Sequence, residues 1–480
     1  MFISRSLLFF LLLITSNTFG FANEKDDRPN IILVMADDQG WGDMAYNGHP
    51  VVKTPHFDRM AANGMRFDRF YAAAPVCSPT RASVLTGRHP NRMGVFKWGF
   101  PIRPQEQTIA EILKAEGYST GHFGKWHLGS VRRKSPVNPG KNGFENWISA
   151  PNFYDNDPIL SNQGKAVAYQ GESSIVTMQL AIDWIKSKSK DEKPFLAVVW
   201  FGSPHGPHQA AEEDKKLYPD QPRNKQNFLG EVTGMDRAMG MLQSSLDELK
   251  IRNNTIVWYT SDNGALPRVG STGGFRGRKA KVYEGGLLVP CIIQWPAKIQ
   301  KPMRTKIRGN TCDIFPTLLA VAKAKTKPKH PLDGISLLPM IEGKEMSHRP
   351  KPMGFWDYKI KGKGVPSAKW MADLLAAQEK GNDLEPDSQS VHAAKMPEPK
   401  FRENQSEGHA AWIEGDWKLH RFAASRGAPK YELYDLKEDP YEKNDISEKH
   451  PEKLKRMKSE LDVWLRNVIS SLNGADYDEK

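Results

Sequence analysis

Cysteine is scarce in this chain, which has only Cys77, Cys291 and Cys312 among 480 residues. An exported protein built on disulfide bonds usually carries more cysteines, in even number, so a disulfide-rich scaffold is excluded. Cys291 and Cys312 lie in apolar segments, which allows either one disulfide bond between them or two buried thiols. Cys77 is then an odd thiol, and this makes it a candidate for chemistry.

The chain also has no apolar run long enough to cross a bilayer. Its most apolar run, residues 7–14, follows Arg5 and precedes the small residues Gly20 and Ala22. This order is typical of a secretory signal peptide over residues 1–22, and the run is too short for a transmembrane helix. We therefore expect a secreted or periplasmic protein that makes no membrane contact once the signal is removed.

Internal repeats and nucleic-acid-binding motifs are absent as well, although the net charge is +12. Hydrophobic residues make up 39% of the chain and charged residues 26%, which is ordinary for a globular protein and excludes general disorder. A basic exported protein favours polyanionic partners such as sulfated polymers. Charge without a motif does not indicate nucleic-acid binding, so no nucleic-acid partner is expected.

Strand-like and helix-like segments alternate over roughly the first 340 residues, a pattern that predicts an α/β fold with helices on both faces of a sheet. The predicted strands are residues 30–36, 119–123, 195–201, 255–261 and 289–295, and the predicted helices are residues 56–63, 108–116, 176–187, 232–250 and 314–323. A length of 480 residues favours one large domain plus a smaller one.

The character of the chain changes near Gly343, which divides it into an N-terminal domain over residues 23–343 and a C-terminal subdomain over residues 344–480. A stretch rich in Lys, Pro and Gln at about 359–407 is interpreted as a loop-rich insertion. Strand-like segments at 410–420 and 431–436, followed by a helical pattern over 450–472, predict a small antiparallel sheet packed against a closing helix.

Carboxylates follow two of the predicted strands. Asp37 and Asp38 come directly after one strand, and Asp262 and Asn263 come directly after another. In an open α/β sheet, ligands bind at the carboxyl ends of the strands, and adjacent carboxylates repel unless a cation lies between them. This oxygen set suits calcium or magnesium rather than zinc. Turns and helix caps are the structural alternative for such residues.

Cationic and imidazole groups end other strand-like segments. Lys125 and His127 follow one of them, His205 follows another, and Lys279 lies in a Gly- and Arg-rich stretch. At one edge of one sheet, such groups would bind a tetrahedral oxyanion. Cys77 begins the pentapeptide CSPTR, in which it is either a nucleophile activated by a nearby Arg or a buried residue at a helix start.

The segment CSPTR at 77–81, with Leu-Thr-Gly at 85–87, resembles the signature of the type I, formylglycine-dependent sulfatases of the alkaline phosphatase superfamily. The resemblance extends from Pro29 to about Leu338 and resumes over residues 411–446, and it includes NIILVMADDQGWGD, GKWHLG, TSDNG and YELYDLKEDPYEKNDI. It implies an alkaline-phosphatase-like mixed sheet flanked by helices, with a smaller C-terminal domain that consists of an antiparallel sheet and a helix.

The resemblance also implies roles for individual residues. Cys77 would be oxidised to formylglycine by a maturation enzyme before or during export, and would then serve as nucleophile and approach one bound calcium ion. Arg81 would steady the hydrated aldehyde. The other implied roles fall to the calcium ligands Asp37, Asp38, Asp262 and Asn263, to the sulfate-binding group Lys125, His205 and Lys279, and to His127 as the base partner of the nucleophile.

These roles describe an enzyme that hydrolyses sulfate esters. The hydrated aldehyde would attack sulfur, His205 would protonate the leaving oxygen, and the second hydroxyl of the hydrate would then expel sulfate. With the basic charge, the expected substrate is a sulfated polysaccharide or oligosaccharide. Two alternatives remain: a related phosphodiesterase or phosphonate hydrolase, and a protein that binds sulfated glycans without catalysis.

Overall fold

The computed structural model of the protein describes residues 27–191, 193–344, 346–397, 400–402, 406–424 and 426–477. The expected signal peptide, residues 1–22, lies outside these ranges. Within them, no helix combines the length and the apolar character that a membrane crossing requires.

Short apolar and β-branched segments form the strands, as their residue preferences dictate. In the described residues the strands are β1 (Asn30–Ala36), β2 (Met65–Phe67), β3 (Phe70–Tyr71), β4 (Ser119–Lys125), β5 (Asn146–Ala150), β6 (Ile159–Asn162), β7 (Lys165–Ala168), β8 (Phe195–Trp200), β9 (Thr255–Ser261), β10 (Ile292–Gln294), β11 (Met303–Thr305), β12 (Gly309–Asn310), β13 (Met353–Asp357), β14 (His409–Glu414), β15 (Trp417–Phe422) and β16 (Lys430–Asp435).

The helices begin at recognisable signals, such as the Pro55 start of the first and the reciprocal Thr108–Glu111 capping box of the third. In the described residues they are α1 (Pro55–Asn63), α2 (Cys77–Thr86), α3 (Ile109–Ala115), α4 (Ser173–Lys188), α5 (Glu212–Lys215), α6 (Arg223–Glu248), α7 (Glu284–Leu287), α8 (Ile314–Val321), α9 (Leu338–Ile341), α10 (Ser367–Glu379), α11 (Ser388–Ala393) and α12 (Pro451–Leu472).

A ten-stranded mixed sheet organises the larger part of the molecule, in the order β11-β2-β10-β9-β1-β8-β4-β5-β6-β7. The central strands β9, β1, β8, β4 and β5 are parallel. Side chains of β1 alternate between two cores: Ile31 and Leu33 face the one that includes α2, α3 and α8, and Ile32 and Val34 face the one that includes α1, α4 and α6. Helices therefore cover both faces of the sheet, which explains the nearly continuous apolar sequence of its strands.

The C-terminal part contains a four-stranded antiparallel sheet in the order β13-β14-β15-β16. Helix α12 packs its apolar stripe against this sheet, with Leu461 and Leu465 in one cluster with Trp412 and Leu419. The prediction of a mixed α/β sheet flanked by helices, with a smaller antiparallel sheet and a closing helix, is confirmed.

Two features differ from the sequence interpretation or decide between its alternatives. The insertion at about 359–407 is not only loop, because it contains α10 and α11. The core-facing stripe of α10 is sparse, with Ser367, Met371 and Leu374 buried, so its sequence pattern is weak. Cys291 and Cys312 are buried free thiols, which decides between the two alternatives that the sequence left open.

Candidate active site

The carboxylates predicted at two strand ends meet at one edge of the large sheet. Strands β1 and β9 are parallel neighbours in register from Asn30 opposite Thr255 to Ala36 opposite Ser261, so the residues that follow them emerge side by side. The backbone of Asp38 turns sharply, with a φ of 70°, and its amide donates a hydrogen bond to Asp262 Oδ1 at 3.0 Å. The carboxyl edge thus gathers oxygen atoms from both strands.

Helix α2 presents Cys77 to these carboxylates. Cys77 is its first residue and is only 2% exposed. Ligand atoms of Asp37, Cys77 and Asp262 all lie within 4.8 Å of one another, and the same holds for a group made by Asp37, Asp38 and His205. Burial raises the pKa of the Cys77 thiol, so the unmodified residue is a poor thiolate nucleophile.

Basic side chains surround the carboxylates and hold them close together. Arg81, one turn along α2 from Cys77, donates to Asp262 Oδ2 at 2.6 and 3.0 Å. Lys125, at the end of β4, donates to Asp37 Oδ2 at 2.6 Å. The side chain of Lys279 bonds to Asp38. Positive and negative groups therefore alternate across the site.

Two histidines complete the cluster. His205 Nε2 lies 3.4 Å from Asp38 Oδ2, and its ring stacks on Phe153 with 4.1 Å between centroids. His127 is buried, and neither of its ring nitrogens has a hydrogen-bond partner in the described structure. Burial lowers the pKa of His205 to about 3 and that of His127 well below its ordinary value. Both rings are neutral at neutral pH and available for proton transfer.

The oxygen atoms of the site fit a hard divalent cation. Asp37 Oδ1 and Asn263 Oδ1 are buried without a hydrogen-bond partner in the described structure, although buried polar atoms normally have one. Carboxylate and amide oxygens are the ligands that calcium prefers. Burial, together with repulsion from Asp262 and Asp38, raises the pKa of Asp37 despite the attraction of Lys125. A cation would relieve that repulsion.

The sequence matches a family model described as Sulfatase over residues 29–324, a range that contains every residue of this cluster. The chain belongs to the sulfatase family. This sulfatase is 33% identical over 384 residues to the N-acetylgalactosamine-6-sulfatase of Canis lupus familiaris, a match that covers 71% of each chain. It is 32% identical over 346 residues to the ulvan-active sulfatase of Formosa agariphila, which covers 68% of this chain and 65% of the relative.

A solved structure has the same fold. The crystal structure of Ps i-CgsB in complex with k-i-k-neocarrahexaose superposes on this sulfatase with a TM-score of 0.76, and the match covers 91% of this chain and 93% of that one at 24% sequence identity. The family assignment identifies the enzyme class and favours the sulfatase interpretation over a phosphodiesterase or phosphonate hydrolase.

The structure brings together the residues that the sequence singled out. Contacts join Asp37, Asp38, Arg81, Lys125, His205, Asp262, Asn263 and Lys279, with Cys77 beside them. His127 lies close enough that the positive charge of Lys125 contributes to lowering its pKa. The side chains of His205 and Lys279 are 21% and 18% exposed, so the site opens to solvent on their side.

Two residues around the site, Phe153 and Gln389, carry no signal in the sequence. Phe153, which stacks on His205, belongs to no motif and can be found only from the fold. Gln389 and Trp370, in the insertion, line a small cavity together with His127. The family resemblance does not extend over this stretch, where Trp370 is a candidate substrate contact on the sequence alone and a surface loop is the favoured interpretation.

Proposed function

We propose that this sulfatase removes sulfate from a sulfated polysaccharide or oligosaccharide, with a formylglycine made from Cys77 as nucleophile and one bound calcium ion. The observation that carries the proposal is the convergence of buried, unpartnered oxygen atoms beside Cys77 at the head of α2. The carbohydrate substrate is supported by the names of the relatives, an N-acetylgalactosamine-6-sulfatase and an ulvan-active sulfatase. The net charge of +12 also suits a polyanion.

Asp37, Asp38, Asp262, Asn263 and residue 77 would hold the calcium ion. When bound, calcium stabilises negative charge on the oxygen atoms that it contacts. Formylglycine supplies, as its hydrate, one hydroxyl for attack on sulfur and a second hydroxyl whose ionisation expels sulfate.

The remaining steps fall to the side chains of the chain itself. Lys125 and Lys279 are proposed to face the negative oxygens of the sulfate group and lower the energy of the transition state. Arg81, held by two hydrogen bonds to Asp262, fixes the nucleophile in position. His127, buried and neutral, would accept the proton of the nucleophile. His205 would protonate the leaving oxygen, because a bound anion raises the pKa of a neighbouring imidazole.

The same proposal extends to maturation and location. A formylglycine-generating enzyme would act on Cys77, and the signal at residues 1–22 would direct the protein to the periplasm or the medium. Residues 23–343 would form the catalytic domain, and residues 344–480, with the insertion at about 359–407, would form the C-terminal subdomain. No nucleic-acid partner is proposed.

Mass spectrometry of the peptide that contains residue 77 tests the nucleophile directly. In the purified, matured protein we expect this peptide to be lighter than its cysteine form by about 18 Da. A Cys77→Ser variant should stall after one turnover or be inactive, because serine lacks the second hydroxyl. Sustained hydrolysis of sulfate esters by an unconverted thiol, or by the serine variant, would contradict the proposal.

Activity measurements test the reaction and the metal. We expect the matured protein to release sulfate from sulfated glycans and from 4-nitrophenyl sulfate, to lose this activity with a chelator and to regain it with calcium. Turnover of an aryl phosphate diester in place of the sulfate esters would favour a phosphonate hydrolase. Glycan binding without sulfate release, in a protein with converted residue 77, would favour a binding protein.

A further inference from the structure

The insertion is fixed to the loops that surround the proposed site. Ser130 lies three residues after His127, and its amide donates to Ser390 Oγ of α11 at 2.8 Å. The amide of Lys363 donates to the carbonyl oxygen of Trp98 at 2.9 Å. Through these bonds the insertion forms a wall beside the site rather than a detached surface loop.

Two cavities lie along this wall and adjoin each other. The smaller one is lined by His127 and, from the insertion, by Trp370 and Gln389. The larger one, of about 310 Å³, shares Pro101 and Gln389 with it. The two cavities are therefore neighbours on the same wall. The volume of the larger one lies within the range of small-ligand sites.

The larger cavity, the basic cavity, is lined by several basic side chains. It contains Arg103, Lys363, His392 and Lys395, and none of the described residues that line it is acidic. Its remaining walls are largely apolar and include three aromatic rings, Phe96, Phe100 and Phe401. Cationic groups beside apolar and aromatic surface would suit a sugar ring that carries a negative group.

Two described carboxylates whose charges act on the lining cations are bound to other groups. Glu106, whose charge acts on Arg103, accepts hydrogen bonds from Arg88 at 3.1 and 3.2 Å and another from Tyr477. Asp387, whose charge acts on Lys363, accepts bonds from the first turn of α11, including one from Ser390 Oγ at 2.7 Å. Neither carboxylate is among the residues that line the cavity.

The two innermost cations bear a cost of burial that an anion would offset. Burial lowers the pKa of both Arg103 and Lys363. The ammonium group of Lys363 lies 4.3 Å from the centroid of the Phe100 ring, and the guanidinium of Arg103 donates to the carbonyl oxygen of Met93 at 3.1 Å. These neutral partners hold the cations in place without cancelling their charge.

We propose that the basic cavity binds a sulfate or carboxylate group on the sugar adjacent to the one that is desulfated. The inference rests on the proposed function, because it places the second sugar relative to His127. It makes the substrate an oligosaccharide or polymer with negative groups on neighbouring units, rather than a sulfated monosaccharide. The role of the insertion would then be to select substrates that carry a negative group on the adjacent sugar.

Binding to two charge-neutralised variants of the full, matured protein tests this site. Lys363→Gln/Lys395→Gln removes two charges from the basic cavity, and Lys327→Gln/Lys380→Gln removes two charges from lysines that do not line it. Calorimetry in the presence of a chelator, which is expected to prevent turnover, would measure the affinity for a carrageenan hexasaccharide, which carries sulfate only, and for a chondroitin sulfate hexasaccharide, which also carries carboxylates. Inorganic sulfate is the third probe, and thermal unfolding checks that each variant folds.

We expect the cavity variant to bind at least one hexasaccharide about tenfold more weakly than the parent, with the control within about twofold. The hexasaccharide that loses affinity identifies the group as sulfate or carboxylate. Equal losses in both variants, no loss in either, no binding by the parent, or a cavity that takes inorganic sulfate alone would overturn the inference. Hydrolysis of 4-nitrophenyl sulfate by the parent is measured separately, so a failure of the proposed function is distinguished from a failure of this site.

Discussion

Two clusters of buried charge in this sulfatase, the proposed active site and a network between the catalytic part and the C-terminal sheet, are built from the same kinds of residue. In the network, Lys418 lies 2.9 Å from Glu284 and 3.0 Å from Glu442. Tyr71 donates to the second oxygen of Glu284, and the second oxygen of Glu442 accepts from the Glu284 amide. Every carboxylate oxygen of this network is therefore bonded.

The proposed active site is different because some of its polar atoms are left without partners. Asp37 Oδ1, Asn263 Oδ1 and both ring nitrogens of His127 are buried and unbonded in the described structure. Unpartnered buried atoms occur elsewhere in the described residues, for example His122 Nε2 and Trp258 Nε1, but these are single atoms. In the proposed active site several of them lie together beside Cys77, which is the arrangement that a bound ligand would satisfy. The difference between the two clusters is therefore that the network is complete and the site is not.

The largest expected effect comes from Asp37→Asn in the active site. We expect kcat/KM for a sulfate ester to fall by about a thousandfold or more, since a carboxylate beside the nucleophile is removed. The free energy of unfolding of the metal-free protein should not fall, because burial and repulsion from Asp262 and Asp38 together outweigh the attraction of Lys125 for the charged Asp37 carboxylate, and the amide oxygen of the substituted side chain can still accept from Lys125. Steady-state kinetics measure the fall in kcat/KM, and urea unfolding measures the stability. A loss of stability would contradict the functional interpretation of the Asp37 carboxylate.

Lys418→Met in the network should have the opposite effect, which is a loss of stability rather than a loss of activity. It leaves two carboxylates buried without their cation, which is expected to lower the free energy of unfolding by about 3–5 kcal/mol. Lys430→Met on the neighbouring strand is the matched control, because the Lys430 side chain is 70% exposed where it pairs with Glu432, and the substitution should change stability little. Urea unfolding of both variants gives the comparison, and equal stabilities would show that the network is not structural.

Calcium should stabilise the parent protein by a smaller amount. If the site binds calcium, an excess of a hundredfold over Kd raises the free energy of unfolding by about 2.7 kcal/mol. Thermal unfolding with a chelator and with added calcium measures this. The same shift in Asp37→Asn would mean that calcium binds elsewhere.

The smallest effect concerns pH and His409, whose ring bonds to that of His420, which in turn bonds to Glu442 of the network. Burial lowers the pKa of His409 to about 2, so the folded protein keeps this ring neutral while the unfolded chain binds a proton below about pH 6.5. The free energy of unfolding should then fall by about 1.4 kcal/mol per pH unit below pH 6.5 for this residue. His409→Gln should remove that part of the pH slope, whereas His348→Gln, at an exposed position, should not.

Much of this architecture follows from local sequence pattern. Strands β1 and β9 were predicted with their observed bounds because continuous apolar sequence flanked by polar residues describes a buried parallel strand. The residues at their ends could be grouped because the carboxyl ends of parallel strands share an edge. Phe153 and the α10–α11 wall could not be predicted, since a stacked ring and a sparsely buried helix depend on contacts distant in sequence.

The burial of Cys77 would set an order of events for the proposed conversion to formylglycine. Every residue of α2 is buried in the folded chain, so a modifying enzyme could not reach the thiol there. The proposed conversion would have to occur on the extended polypeptide, before the core closes. A molecule that folds first would retain its thiol out of reach of a later catalyst, and under this proposal the rate of folding would limit the fraction of active protein.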